Sequence, residues 1–203
     1  MGKENQEAPM ARSTALAAAA KKEQILQAAI LRFARQSYED TTLRAIAADV
    51  GVDVAHVHRS FGSKESLLMA AVLATAQPER FRGESRQGFV TKLVDEVFEQ
   101  DAARAHEEVG PLDIFMRSLT SREASHVMHD GLLTELIVPF AEMMHPPSVH
   151  RAALMVAVLV GIGVLKEVLA IEPLREKGDG ELRKLTIEML EQLIGDEPSV
   201  KRT

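Results

Sequence analysis

The chain has no cysteine and no tryptophan, a single tyrosine and only seven phenylalanines. Without thiols there can be neither a disulfide framework nor a thiolate metal site, and a reducing compartment is compatible with that composition. So few aromatics remove many of the residues that favour strands. Glycine (12) and proline (8) are also sparse among 203 residues. In their place stand alanine, leucine, glutamate, arginine and methionine, all good helix formers. With 46% hydrophobic and 27% charged residues the chain can bury a core and remain in solution. Its length fits one large domain, or a small domain joined to a medium one. No signal peptide is expected, because Ala15–Ala20 is short and weakly apolar. The longest uncharged run, residues 152–165, falls short of the roughly 20 residues that a membrane span needs. A buried helix, no membrane partner and a cytoplasmic location are therefore expected.

Positive charge is lacking overall, at net −6, which at first argues against nucleic acid. The deficit is uneven. Residues 1–64 hold 9 Lys/Arg against 7 Asp/Glu (+2), while the remainder holds 15 against 23 (−8). DNA binding requires local positive charge rather than a basic whole, so the first third of the chain stays eligible.

Residues 1–13 mix glycine, proline and charges without period and read as a mobile tail. A helix is expected over 14–37, with Ile25, Ala29 and Phe33 as its stripe and Leu26 and Ile30 alongside. Thr41-Thr42 offers an N-cap to a short helix carrying Leu43, Ile46, Ala47 and Val50, and Gly51 suits a left-handed turn. Asp53 caps the next short helix, which reaches about Ser60. Ser63 caps a helix over 63–76 containing Leu67, Leu68, Ala71 and Val72. Residues 77–88, with Pro78 and Gly83, read as a junction between domains. Helical patterns follow at about 89–107, 111–120, 122–144, 148–171 and 180–194, and Pro139 should kink the third. The expected fold is all-α. A three-helix helix-turn-helix unit spans 14–76, and a larger helical ligand-binding and dimerisation domain spans 77–203.

Residues 41–68, TTLRAIAADVGVDVAHVHRSFGSKESLL, carry the functional signal. Two helices of about eight residues around Gly51 have helix-turn-helix proportions. On a helical wheel Val57 and Phe61 fall together, able to pack on Ile46, Val50 and Phe33. Ala55, His56, Arg59 and Ser60 project from the other side, small and polar enough to enter a major groove. His56 and His58 are two apart, so they do not face each other as a metal pair would. His126 and His129 are able to share a face, but the scattered histidines His106, His126, His129, His145 and His150 suit surface or pocket roles better, and no metal or cofactor is expected. No triad order, phosphate loop or paired carboxylate indicates an enzyme.

The same stretch resembles the TetR family of transcriptional regulators. Its pattern appears as Thr41-Thr42, Ile46-Ala47, Gly51-Val52, Asp53, His58 to Phe61, Ser63-Lys64-Glu65 and Leu67, with Ile25-Leu26, Ala28-Ala29 and Phe33 upstream. The family's usual tyrosine is His58 here, and its second aromatic is Ser60. The resemblance implies that Thr42, His58 and Lys64 grip phosphates while Val54, Ala55, His56 and Ser60 lie toward base edges. Arg44 and Arg59 are further candidate DNA contacts. It also implies a homodimer on a palindromic operator in double-stranded DNA, and a repressor released by a small-molecule effector.

Residues 148–171 are apolar nearly all round, with Gly161 and Gly163 permitting a close neighbour. Leu159 and Ile162, with the stripe Leu182, Leu185, Met189 and Leu193, mark an expected dimer interface. Phe89, Phe98, Phe115, Met116, Met128, Leu132, Leu136 and Phe140 suit an adaptable effector pocket, with Arg117, Arg122, His126 and Glu135 as possible polar contacts. The rival reading is an all-helical small-molecule or lipid-binding protein, or an enzyme, with an incidental helix-turn-helix.

Overall fold

The computed structural model describes residues 7–81, 83–104, 109–175 and 180–195, and every element among them is helical. They form two compact units: the chain up to Thr75 together with Asp113–Val127, and Ala76–Leu112 together with the chain from Met128 onward. The sequence assigned 113–127 to the effector domain; the structure groups it with the DNA-binding helices.

In the first unit α1 (Glu7–Arg35) begins seven residues before its expected start, so half of the expected tail is helical. The rest of that tail, His106 and the last eight residues lie outside the described residues. Ile25, Ala29 and Phe33 are buried as their spacing requires, and so are Ile46, Ala47 and Val57 of the next two helices and Leu67 and Leu68 beyond them. Each such large aliphatic contributes about 1.5–3 kcal/mol through burial. α2 (Leu43–Val50) starts where Thr42 Oγ1 accepts the Ala45 N–H at 3.1 Å. It stops at Gly51, whose φ of 67° and ψ of 39° are left-handed and nearly free of cost only for glycine. α3 (Val54–Phe61) is capped by Asp53 Oδ1, which accepts the Ala55 N–H at 2.9 Å. α4 (Lys64–Ala76) is capped by Ser63 Oγ, accepting the Ser66 N–H at 3.2 Å. Arg32 and Asp49 tie α1 to α2 by a two-pronged ion pair at 2.5 and 2.8 Å.

α6 (Pro111–Ser118) and α7 (Arg122–Leu132) meet at a turn whose Ser121 is buried and caps α7, its Oγ accepting the Ala124 N–H.

The second unit is built on α5 (Arg86–Arg104), α8 (Val138–Glu142), α9 (Val149–Gly163) and α10 (Glu181–Ile194). The expected linker is structured: Pro78–Phe81 is a 3-10 turn whose Phe81 is buried edge-on against Phe89 and Phe140, with centroids at 5.7 and 6.0 Å. Pro139 does disturb its helix. Five residues of π-helix, Leu133–Ile137, precede α8, and the Val138 N–H bonds Leu133 O one residue further back than in an α-helix. A proline ring collides with the carbonyl four residues earlier, and widening the turn relieves it. A second π-turn, Val164–Val168, continues α9. The helix Val149–Val168 is thus 20 residues long, and by length and composition it reaches what a membrane crossing needs, which corrects the argument from run length alone.

The C-terminal end of α10 is fastened to the turn before α9. Arg151 donates to the carbonyls of Leu193 (3.1 Å), His145 and Pro146, and the His145 N–H bonds Ile194 O. Gly195, with φ of 83°, sits so close to His145 O and Arg151 Nη1 that no Cβ fits.

Candidate nucleic-acid interface and effector unit

The recognition unit consists of α2, the Gly51 turn and α3. Val57 is 1% exposed and anchors α3, so the opposite side is turned outward. Ala55, His58 and Arg59 are exposed there, while Val54, His56 and Ser60 are half-buried. On α2 and its cap, Thr42 and Arg44 are exposed. These eight candidates therefore lie at or near the surface of one helix pair. Phe61, expected to join Val57 in the core, is only half-buried, and the Lys22 ammonium lies 5.3 Å from its ring centroid. His58 is also constrained, because Nδ1 pairs with Gly62 O at 2.8 Å and a carbonyl can only accept. A neutral ring so held presents Nε2 as an acceptor, and only the imidazolium could donate to a phosphate.

Lys64 departs most from expectation. It is half-buried, its ammonium 3.8 Å from the Tyr38 ring centroid, and burial pulls its pKa below the usual lysine range against the opposing charges of Glu123, Glu39, Glu65 and Asp40. Tyr38 is 1% exposed; its hydroxyl is buried without a hydrogen bond of good geometry, and burial first, then the Glu65 charge, push its pKa up. Glu65 is pulled down to about 2, chiefly by hydrogen bonds from the Ser63 hydroxyl and its own backbone N–H, with Glu123 contributing third. Glu123 moves the other way, raised chiefly by its interaction with the Glu65 carboxyl. The Ser121 hydroxyl donates to Glu39 and holds that carboxyl below the ordinary range. Ser121 and Glu123 thus bear electrostatically on Glu39, Lys64 and Glu65 within the first unit. Of these residues only Lys64 was expected from sequence to contact DNA.

Two family models match the chain: "Bacterial regulatory proteins, tetR family" over residues 25–71, and "Tetracyclin repressor-like, C-terminal domain" over residues 87–194, more than half of its length. The chain belongs to the TetR family. Among solved structures, the fatty acid degradation regulator FadR from Bacillus halodurans is similar, with a TM-score of 0.51 at 18% identity, covering 86% of this chain and 95% of that one. At that identity the likeness speaks for the fold alone. No curated protein sequence matches. This TetR-family chain is a ligand-responsive DNA-binding transcriptional regulator.

The residues expected to line the regulator's effector pocket divide between its two units. Phe115 and Met116 lie on α6, in the first; Phe89, Phe98, Met128, Leu132, Leu136 and Phe140 belong to the second. In the second, Phe89, Phe98, Leu136 and Phe140 share one hydrophobic core, with Phe89 and Phe140 edge to face at 4.9 Å. Arg117, Arg122, His126 and Glu135 are all exposed rather than turned into that core. The polar group buried beside it is one the sequence reading passed over. Lys166, 1% exposed, donates to the carbonyls of Val97 (3.1 Å) and Phe98 (3.3 Å) and pairs with Glu167 at 3.3 Å. Its signal was its position, at the end of an otherwise uncharged run.

The expected dimer residues separate as well. Leu159 is only 8% exposed and belongs to the core, because the α9 face that carries it packs inward. Ile162, Leu182 and Leu193 are half-buried against that core. Leu185 (53%) and Met189 (39%) remain exposed on α10, as do Leu154 and Leu165 on α9 and its π-turn. Gly163 is buried against Leu112, whereas a Cβ at Gly161 would meet nothing within 4 Å.

Proposed function

We propose that this regulator is a homodimeric repressor that reads a palindromic operator with α3 and releases it when a small apolar effector enters the second unit. The observation that carries the reading is the pairing of a buried anchor, Val57, with an exposed Ala55, His58 and Arg59 on a helix capped at both ends. Thr42 and Arg44 hold phosphates and set register; Val54, Ala55, His56 and Ser60 face base edges. The exposed leucines of α9 and α10 support a second copy as the partner, because a two-fold contact covers each of them twice. The same apolar stretch would suit lipid by length, but Lys166 and Glu167 are buried within it and find their partners in protein. A cytoplasmic, binding rather than catalytic, role follows. Selection from randomised duplexes tests the reading. A palindromic site should emerge, with half-sites about one helical turn apart. Changing His56 should alter the preferred bases, whereas Arg44→Ala should weaken all sequences and lower the salt slope by about one unit. Failure to enrich any duplex at low salt would refute it.

A further inference from the structure

We propose that His58, tied by its ring to the Gly62 carbonyl, reads the operator as a hydrogen-bond acceptor, selecting a base that presents an amine in the major groove, instead of gripping a phosphate. The inference rests on α3 being the helix that reads DNA. Three hydrogen bonds close the end of that helix. The Gly62 N–H bonds His58 O at 2.8 Å. Gly62 itself, at φ 82° and ψ −74°, is the centre of a γ-turn in which the Ser63 N–H bonds Phe61 O at 3.1 Å. The Gly62 carbonyl meets Nδ1 of the His58 ring at 2.8 Å. His58 and Gly62 are thus joined twice, once through the main chain and once through the imidazole. His58 is exposed, on the outward side of α3 with Ala55 and Arg59.

A carbonyl oxygen offers no proton, so Nδ1 carries one and the neutral ring has none on Nε2. Nε2, across the ring from the tether, is the nitrogen left to meet DNA. A phosphate oxygen offers no proton either, and two acceptors set face to face repel. The held neutral ring is therefore a poor partner for the DNA backbone. In the major groove guanine presents only the N7 and O6 acceptors, and thymine only O4 and a methyl group. Adenine N6 and cytosine N4 are the donors there, and either fills the Nε2 lone pair. One neutral hydrogen bond of that kind corresponds to a preference of about three- to tenfold. The tether also fixes the ring before DNA arrives, so less side-chain freedom is lost on binding.

The test starts with the full-length protein selecting from randomised duplexes at about pH 8, above the ordinary histidine range. One position of each half-site should show A or C on one strand, with G and T there disfavoured by about three- to tenfold. His58→Ala, at an exposed site, should keep the helical circular dichroism and lose the preference at that position alone. Deleting the exocyclic amine of that base should weaken wild-type binding by the same factor and leave His58→Ala unaffected. In the free protein, nitrogen NMR of the His58 ring should show a protonated Nδ1 and a bare Nε2. A neutral ring protonated on Nε2 instead would overturn the inference. So would a His58→Ala protein that weakens on every duplex alike while keeping all base preferences, or one that binds as the wild type does. If the wild type enriches no duplex, the reading of α3 itself fails, whatever the tautomer, and this inference goes with it.

Discussion

Leu185→Asp separates the proposed dimer face from the fold of a single chain. Leu185 is 53% exposed in the isolated chain, so aspartate there should leave the monomer folded. Burying a whole leucine contributes about 1.5–3 kcal/mol; covering the exposed half contributes about 1 kcal/mol per copy, or about 2 across a two-fold axis. That term alone is roughly thirtyfold in the dimer Kd. The substitution also strips water from two carboxylates, at an effective penalty of several kcal/mol per ion. A summed loss of about 6 kcal/mol or more carries a nanomolar dimer beyond micromolar Kd. Sedimentation velocity at micromolar concentration should therefore show a wild-type dimer and a Leu185→Asp monomer with the same helical circular dichroism. Leu159→Asp gives the contrast: at 8% exposure it should lose helix rather than only the partner. A Leu185→Asp protein that remains dimeric with unchanged Kd would exclude this α10 face from the interface.

Gly195→Ala should lower stability by about 2 kcal/mol or more, because the left-handed backbone and the contact with His145 O and Arg151 both reject a Cβ; urea unfolding measures it, and an unchanged midpoint refutes the fastening role. Lys166→Met should cost about 3 kcal/mol by removing a buried ammonium from the Val97 and Phe98 carbonyls and from Glu167, and an unchanged urea midpoint would refute that role. Asp49 is held below the usual carboxylate range by its hydrogen bond from Arg32, so its contribution is present above the ordinary aspartate pKa of about 4 and fades as pH falls below it. The Tm difference between wild type and Asp49→Asn should accordingly shrink on acidification through pH 4, and a difference independent of pH would contradict the pairing.

Whatever depended on residues within one helical turn could be read from the chain. Thr42, Gly51, Asp53 and Ser63 cap and punctuate the recognition unit as expected, since a cap is a bond between neighbours. The Ile25–Ala29–Phe33 stripe named its buried face because a helix brings every fourth residue round. The distortion at Pro139 was equally local, although its resolution as a π-turn was not foreseeable from the ring alone. The amphipathic pattern could not tell which apolar face of α9 meets its own chain and which meets water. Leu159 and Leu154 look alike in a sequence that is apolar all round, and only the packing of α5 and α10 distinguishes them. The buried polar contacts were out of reach for the same reason. Lys166 finds its carbonyls 68 and 69 residues away, and Arg151 bonds a carbonyl 42 residues on. Charge along a sequence marks a residue as polar; its partner is chosen by the tertiary fold, which sets how much water each group loses and what replaces it.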